Sequence, residues 1–249
     1  AYLISLPLRS VSANRIPIRF LNSLVWFLVV YTALWFASSY LASQFGRYPI
    51  RCFGGGYSSL EMQSPMYCLM NRNYVSAKVL KVSEELATDV DRKFPGTITL
   101  ALDGNFPFFD GFPLLPHLSH DDGNKLDLAF YYKDDTYGYQ AGKTNSPIGY
   151  WAFELPDEGE HEACSTADLN FSTRWKMRWF EVFNSSLELE RERTAYAIRW
   201  LAEKGQELGV TKVFVEPHLL SRLAIKGSNL RFQGCHAARH DDHIHFQTD

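Results

Sequence analysis

The sequence predicts an α+β domain, with a small, mainly antiparallel sheet and flanking helices, preceded by one transmembrane helix. Three observations predict this class. An uncharged apolar run lies near the start, apolar residues recur at three- and four-residue steps in several later segments, and other segments alternate apolar with polar residues. Steps of three and four residues are typical of a helix with one apolar face, whereas strict alternation is typical of a half-buried strand.

Length and charge limit the range of functions. With 249 residues, of which 46% are hydrophobic, the chain is long enough for one sizeable domain and an additional segment. The net charge of -3 shows no excess of basic residues, so nucleic acid is not expected as a partner. The predicted division is a cytoplasmic segment, a transmembrane anchor, a juxtamembrane linker and a main domain, at residues 1–19, 20–46, 47–73 and 74–249.

The first element is the apolar run. No residue from Phe20 to Gly46 is charged, and this length exceeds the roughly 20 residues that cross the hydrocarbon core as a helix. Arginines precede the run at positions 9, 15 and 19, with no acidic residue among residues 1–19. Positively charged residues that flank a transmembrane helix concentrate on its cytoplasmic side. The N-terminus is therefore expected in the cytoplasm, and the main domain on the opposite side of the membrane. A cleaved signal peptide and a buried core helix are the alternatives.

The cysteines fit this topology. Cys52, Cys68, Cys164 and Cys235 all follow the apolar run, and none forms a Cys-x-x-Cys pair. An oxidising compartment would allow two disulfides, with three possible pairings. The most local pairing is Cys52 with Cys68, which closes a glycine-rich loop at 54–57. The alternative is four free, buried thiols.

The main domain begins with a predicted helix, after a linker rich in Gly, Ser, Pro and Tyr. The helix carries one apolar stripe and ends before Pro95, and its stripe consists of Val75, Val79, Val82, Leu86 and Val90. Strands are predicted from their alternation at 97–103, 126–131 and 243–245, and a further short strand is predicted at 212–216. Further helices are predicted at 174–187, at 189–208 and after Pro217.

Two stretches carry histidine and aspartate, which are residue types that bind metal ions. His120 lies in a loop and Asp127 lies seven residues later, on the strand face opposite Leu126 and Leu128. Near the end of the chain, alternation places His243 and His245 on the same side of an extended segment. Imidazoles and a carboxylate are the ligands of open catalytic zinc sites, in which water takes the fourth position. The four remaining histidines are expected to be ordinary surface or core residues, at positions 117, 161, 218 and 236.

These stretches carry a resemblance to a known family. Ser-His-x-x-Gly-x-x-x-Asp-Leu at 119–128, followed by Asp-Asp-His-x-His at 241–245, resembles the zinc peptidases that include lysostaphin-type enzymes, D-Ala-D-Ala peptidases and the hedgehog N-terminal domain. The penicillin-insensitive murein endopeptidases are the most similar members. The resemblance covers about 96–246, with its motifs at the two ends.

The resemblance implies roles for individual residues. The zinc ligands would be His120, Asp127 and His245, and the catalytic residues would come from His240, Asp242 and His243. D-Ala-D-Ala peptidases have a glutamate three residues before the last ligand, where this chain has Asp242. The murein endopeptidases have a histidine five residues before it, matched here by His240. The identity of the general base therefore stays open among these residues.

By this resemblance the chain would be a zinc peptidase of the bacterial inner membrane with its domain in the periplasm. Its substrate would be peptidoglycan peptides, cut at a bond involving a D-amino acid. A D-Ala-D-Ala carboxypeptidase is one alternative, although no arginine matches the one that holds the substrate's free carboxylate in those enzymes. The other alternative is a zinc-containing, hedgehog-like binding module without peptidase activity.

Overall fold

The computed structural model describes residues 16–52, 58–115, 117–165, 174–175 and 177–249. The first element, α1, is the helix Ile16–Leu41, and a 3-10 helix, Ala42–Phe45, extends it. Within these described residues, one helical stretch, Arg19–Phe45, is long and apolar enough to cross a membrane. Gly46 ends it in the left-handed conformation, with a φ of 68°. The predicted loop at 54–57 and most of the predicted cytoplasmic segment lie outside the described residues.

The strands and the remaining helices follow in chain order. The strands are β1 Arg47–Pro49, β2 Leu60–Met62, β3 Tyr74–Ser76, β4 Thr99–Ala101, β5 Lys125–Ala129, β6 Tyr132–Asp134, β7 Gly138–Tyr139, β8 Glu188–Leu189, β9 Val210–Phe214, β10 Leu230–Arg231 and β11 His243–Thr248. The helices are α2 Pro65–Leu69, α3 Ala77–Lys93, α4 Arg191–Ala202, α5 Lys204–Glu207 and α6 Pro217–Arg222, with a 3-10 helix at Arg178–Phe183.

The main sheet has six strands in the order β10-β9-β11-β5-β4-β2. Its three inner pairings are antiparallel, whereas the outer pairings, β9 with β10 and β2 with β4, are parallel. The fold is therefore a mixed α+β fold, as predicted, with an antiparallel centre and parallel edges. Two smaller sheets accompany it, one pairing β1 with β3 and one of order β7-β6-β8.

The core lies between one face of the main sheet and helices α3 and α4. Leu126 and Leu128 of β5 and Ile244 and Phe246 of β11 are fully buried in one apolar cluster with the helices. Alternation along these two strands turns Asp127, His243 and His245 to the opposite face. The hydrophobic effect thus fixes which face carries the polar side chains.

The helix predicted from the valine stripe is α3, but it begins later than predicted. Val75 belongs to β3, and the Ser76 hydroxyl accepts a hydrogen bond from the Val79 N–H at 3.3 Å. This N-cap satisfies an N–H group of the first turn and fixes the helix start at Ala77. The stripe itself is correct, since Val79, Val82, Leu86 and Val90 are all fully buried.

The predicted helix at 174–187 is wrong. Its described residues form only the 3-10 helix Arg178–Phe183, and Trp175, Trp179, Val182 and Phe183 are exposed. The segment has apolar residues at helical spacing, but these four side chains are not buried, so tertiary packing does not stabilise a helix through them. The predicted helix at 189–208 is likewise interrupted, because α4 ends at Ala202 and a short helix, α5, follows from Lys204.

The segment predicted as a linker, 47–73, contributes to the fold. It contains β1, β2 and α2, and β2 forms one edge of the main sheet. A disulfide joins Cys52 to Cys68, and a second joins Cys164 to Cys235. Of the three possible pairings of the four cysteines, this is the one that contains the most local disulfide, Cys52 with Cys68.

Candidate metal centre

The site is built on the two central strands of the main sheet. In the antiparallel pairing of β5 with β11, Asp127 lies directly opposite His245. The loop before β5 folds back over the strand and brings His120 to the same place. Directly opposed residues have neighbouring side chains, so the register of one strand pair and one loop bring these three residues together.

The three predicted ligands form a small triangle. His245 Nδ1 lies 2.7 Å from Asp127 Oδ1 and 3.2 Å from His120 Nε2, and His120 Nε2 lies 3.3 Å from Asp127 Oδ1. Bonds of about 2.0–2.1 Å in a tetrahedral site separate neighbouring ligand atoms by about 3.3 Å. The two separations that involve His120 Nε2 match this value, whereas the separation of 2.7 Å between His245 and Asp127 is that of a hydrogen bond.

Hydrogen bonding gives His120 the tautomer that a ligand needs. Its Nδ1 lies 3.0 Å from the Gly104 carbonyl oxygen, which only accepts, so Nδ1 carries the proton. The Nε2 lone pair is then free and faces the triangle. A backbone carbonyl that orients a histidine in this way is typical of metal sites.

His117 also lies in this cluster. His117, His120 and Asp127 each offer a donor atom within 4.8 Å of the others, and this group could hold a metal ion. The sequence predicted that His117 is an ordinary surface or core residue, and it did not predict that His117 lies beside His120 and Asp127. Its spacing of three residues from His120 was the available signal, since a tight turn brings such residues together.

His117 is held by a buried ion pair. Its Nδ1 donates to Asp103 Oδ2 at 2.9 Å, and Asp103 is bound in turn by the guanidinium of Arg72 through two nitrogens. The Nδ1 proton of His117 is therefore held by Asp103, as that of His120 is held by the Gly104 carbonyl. Nothing in the spacing of Arg72 and Asp103 along the sequence predicted this arrangement.

Tyr150 supports the carboxylate from the other side. Its hydroxyl donates to Asp127 Oδ2 at 2.6 Å, while Oδ1 faces the two histidine nitrogens. The carboxylate is thus oriented with one oxygen in the triangle. Tyr150 lies in a loop without periodicity, so no sequence pattern indicates this role.

Asp242 and His243 form a second unit beside the triangle. His243 Nδ1 donates to Asp242 Oδ1, and the backbone N–H of Trp151 donates to Asp242 Oδ2 at 2.6 Å. Both oxygens of Asp242 are therefore engaged. This leaves His243 Nε2 pointing toward Asp127 Oδ2, 3.7 Å away.

His240 packs behind these groups. Its ring stacks on Phe214 with centroids 5.6 Å apart and lies 4.9 Å from His243 and 5.5 Å from His245. Its backbone is anchored to Glu216, whose N–H donates to the His240 carbonyl at 3.1 Å. The structure therefore brings together all six residues predicted for the site.

The buried charges shift the titration of the cluster. Burial raises the pKa of Asp127, but the charges of His120, His243 and His245 outweigh it and hold the pKa well below its ordinary value. Burial lowers the pKa of His120, yet the charge of Asp127 raises it on balance. For His243, Asp127 and Asp242 outweigh burial and raise the pKa to about 9.

Other members shift toward the neutral form. Burial lowers the pKa of His245 to about 4 despite the nearby Asp127. Burial and the charge of His243 hold the pKa of His240 well below its ordinary value. Burial and Asp127 raise the pKa of Tyr150 well above its ordinary value, so its hydroxyl keeps the proton that it donates.

Two cavities meet at the cluster. The aromatic cavity is lined by His117, Tyr150, Trp151, Phe153, Trp175, Ala238, Arg239, Asp242 and His243. The methionine cavity, of about 190 Å³, is lined by Ser64, Met66, Tyr67, Met70, Arg72, Asp103, Leu115, His117, Ile148, Tyr150 and Trp151. Residues 117, 150 and 151 are common to both, so the cavities adjoin there, whereas His120, Asp127 and His245 line neither of them.

Two arginines line these cavities, although the sequence indicated none. The guanidinium of Arg72 binds Asp103 and also donates to the Leu115 carbonyl at 2.7 Å. Arg239 donates to Asp241 from two nitrogens. Both are therefore engaged by protein carboxylates.

The chain was also compared with known proteins. No family model matches it, and no curated protein matches it.

Proposed function

We propose that the chain is a zinc-dependent peptidase that hydrolyses D-amino-acid-containing peptide bonds of peptidoglycan, as murein endopeptidases do. The observation that carries this proposal is the buried triangle of His120 Nε2, Asp127 Oδ1 and His245 Nδ1, which brings two imidazoles and one carboxylate within 3.3 Å of one another. The substrate class rests on the motif resemblance described above.

Zinc is the metal that this donor set suits, because two imidazoles and one carboxylate are ligands of catalytic zinc sites. When bound there, zinc would lower the pKa of a water molecule and polarise the peptide carbonyl. Tyr150 would keep Asp127 oriented toward the ion, and the Gly104 carbonyl would keep His120 in its ligand tautomer.

Among the candidate catalytic residues, the geometry favours His243 for proton transfer. His243 lines the aromatic cavity, and Asp242 fixes its ring so that Nε2 faces the ligand Asp127. Asp242 then acts by positioning His243, since its second oxygen is bound by the Trp151 N–H. His240 packs against both His243 and His245 and stays neutral at neutral pH, so it would support them from behind.

Two features favour an endopeptidase over a carboxypeptidase. The methionine cavity, of about 190 Å³, would give peptide space on one side of the cut bond, and the smaller aromatic cavity adjoins it at His117, Tyr150 and Trp151. The nearby arginines are already bound by Asp103 and Asp241, so neither offers a free guanidinium to a substrate carboxylate. A buried charge that is already paired is costly to separate from its partner.

The cell location is part of the proposal. We place the chain in the bacterial inner membrane through α1, with the domain in the periplasm where peptidoglycan lies. The two disulfides support an oxidising compartment, and both lie on the same side of the apolar helix.

The test is digestion of purified peptidoglycan by the zinc-loaded full chain in detergent, followed by muropeptide analysis. Loss of cross-linked dimers with gain of monomers, abolished by a chelator, is the expected result. Loss of terminal D-Ala alone would identify a carboxypeptidase. Unchanged muropeptides with zinc fully bound would refute the peptidase and leave the zinc-containing binding module.

A further inference from the structure

One face of the domain is apolar, exposed and adjacent to α1. It consists of Met66, Leu69, Met70 and Leu115, each more than half exposed. No residue from 63 to 71 or from 111 to 118 is Asp, Glu, Lys or Arg, so the face is uncharged as well as apolar. We call these four residues the apolar face. Exposed apolar patches of this kind mark contact with a partner or a membrane.

The apolar face is attached to the middle of α1, and not only to its end. The hydroxyl of Tyr31 donates to the Leu69 carbonyl, and Trp35 Nε1 donates to the Cys68 carbonyl at 2.7 Å. Farther along α1, the Ser39 and Tyr74 hydroxyls lie 3.3 Å apart, and Ala42 is buried. The contacts recur at helical spacing, so one side of the second half of α1 packs on the domain.

The position of these contacts along the helix sets their depth. The uncharged run begins at Phe20, and a rise of 1.5 Å per residue places Tyr31 about 17 Å and Trp35 about 23 Å farther along. The hydrocarbon core of a bilayer is about 30 Å thick. If α1 spans the membrane from Phe20, both contacts lie inside the outer half of the hydrocarbon region.

Two backbone carbonyls near this face are paired with α1, as a lipid environment requires. The Cys68 and Leu69 carbonyls lie at the end of α2, and the side chains of α1 donate to both, while Cys68 also accepts from the Asn71 N–H at 3.0 Å. An unsatisfied carbonyl is costly in hydrocarbon, so this pairing suits immersion in lipid. The first ion pair beyond the apolar run joins Arg47 to Asp110, at the level where water is expected to begin.

We infer that the apolar face is inserted among the acyl chains of the outer leaflet, beside α1. Met66, Met70 and Leu115 also line the methionine cavity, which reaches His117 and Tyr150. The mouth of that cavity therefore lies at the boundary between lipid and water. The inference depends on α1 spanning the membrane and does not depend on the proposed peptidase activity.

The experiment uses single added cysteines on the full chain. All four native cysteines are in disulfides, so an added cysteine is the only free thiol available to label. Met70→Cys and Leu115→Cys report on the apolar face, Val25→Cys on α1, and Tyr137→Cys, which is 82% exposed in the turn between β6 and β7, is the control. Each is labelled with a fluorophore and reconstituted in phospholipid vesicles.

Lipids that carry a spin label on the acyl chain then serve as quenchers, and iodide serves as the aqueous quencher. We expect the labels at 25, 70 and 115 to lose at least about half of their fluorescence to the lipid quencher and to be shielded from iodide, with the reverse at 137. If the lipid quencher acted on the label at 25, but only iodide acted on the labels at 70 and 115, the inference would be overturned. The transmembrane placement of α1 would then still hold. Iodide quenching at all four positions would overturn the span and the inference together.

Discussion

Asp127 is the residue on which the candidate site depends. It is a buried carboxylate, and its two oxygens lie within 3.7 Å of polar atoms of Tyr150, His117, His120, His243 and His245. Burying a charge is costly unless opposite charges and hydrogen bonds compensate for it. A group of imidazoles that converges on one buried carboxylate is the arrangement expected of a metal site rather than of an apolar core.

The first prediction concerns His120. His120→Ala removes one of the three proposed ligands, so zinc affinity should fall by more than about 100-fold, beyond the loss typical of a residue that merely supports a ligand. Metal content after dialysis, measured by elemental analysis, is the readout. His161→Ala is the control, because His161 is exposed and lies outside the cluster. Stoichiometric zinc in the His120 variant would remove it from the ligand set.

The second prediction separates proton transfer from metal binding. His243→Ala should lower turnover of cross-linked muropeptides by a factor on the order of 100 to 10,000 and leave zinc content near that of the parent. Asp242→Asn should lower turnover by at least about 10-fold, because it removes the acceptor that orients His243. The two variants are assayed by turnover and by metal content together. If His243→Ala lost its zinc, His243 would be a ligand and not a proton-transfer residue.

How much of the site could be predicted differs from residue to residue. Alternation in β5 and β11 determines the face of Asp127, His243 and His245, and the hydrophobic core enforces it. His117 and Tyr150 come from loops, where no periodicity specifies direction. Their places depend on contacts such as that of His117 with Asp103, between residues that no spacing rule connects.

At the scale of elements, the strongly periodic segments were predictable and the aromatic loops were not. The apolar stripe of α3 follows the helical period of about 3.6 residues, and the alternation of β11 follows the strand period of two residues. Each element shows one clear period because it has one face to bury. The segment 174–187 has apolar residues at similar spacing but leaves its aromatic side chains exposed. A pattern predicts a helix only where another element is available to cover it.

The third prediction concerns the start of α3. Ser76→Ala removes the hydroxyl that accepts from the Val79 N–H, so the free energy of unfolding should fall by about 1 kcal/mol. Denaturant unfolding of the full chain in mild detergent, followed by circular dichroism, measures it. Thr88→Ala is the matched control, because Thr88 lies in the same helix and its hydroxyl bonds only to the preceding turn at Glu84. Equal stability of both variants would show that the cap does not stabilise α3.

At the scale of the whole molecule, stability should depend on pH through Glu154. Burial raises the pKa of Glu154 to about 7, with Arg222 and Arg191 opposing the shift and Asp241 adding to it. As pH rises from about 4.5, the unfolded chain loses this proton first, so the folded state loses stability progressively until about pH 7. Above pH 7 the loss is constant.

The fourth prediction follows from that sign. Glu154→Gln removes the buried charge, so it should raise the free energy of unfolding at pH 8 by about 1 to 2 kcal/mol, with a smaller gain at pH 5. Denaturant unfolding at the two pH values gives the difference. Glu158→Gln, at an exposed position on the same loop, is the matched control. A gain for Glu154→Gln that was equal at pH 5 and pH 8 would contradict the assigned shift.

The last prediction concerns the topology of the whole chain. Arginine at position 19 and the uncharged run that follows it predict an inside N-terminus and an outside domain, and α1 has the length to connect them. Protease added to intact spheroplasts should therefore digest the main domain while a cytoplasmic marker stays protected. Changing Arg47 and Arg51 to Gln should leave this orientation unchanged, because it increases the bias toward an inside N-terminus. A domain protected as well as the marker, and digested only after lysis, would place it in the cytoplasm and contradict both the topology and the periplasmic substrate.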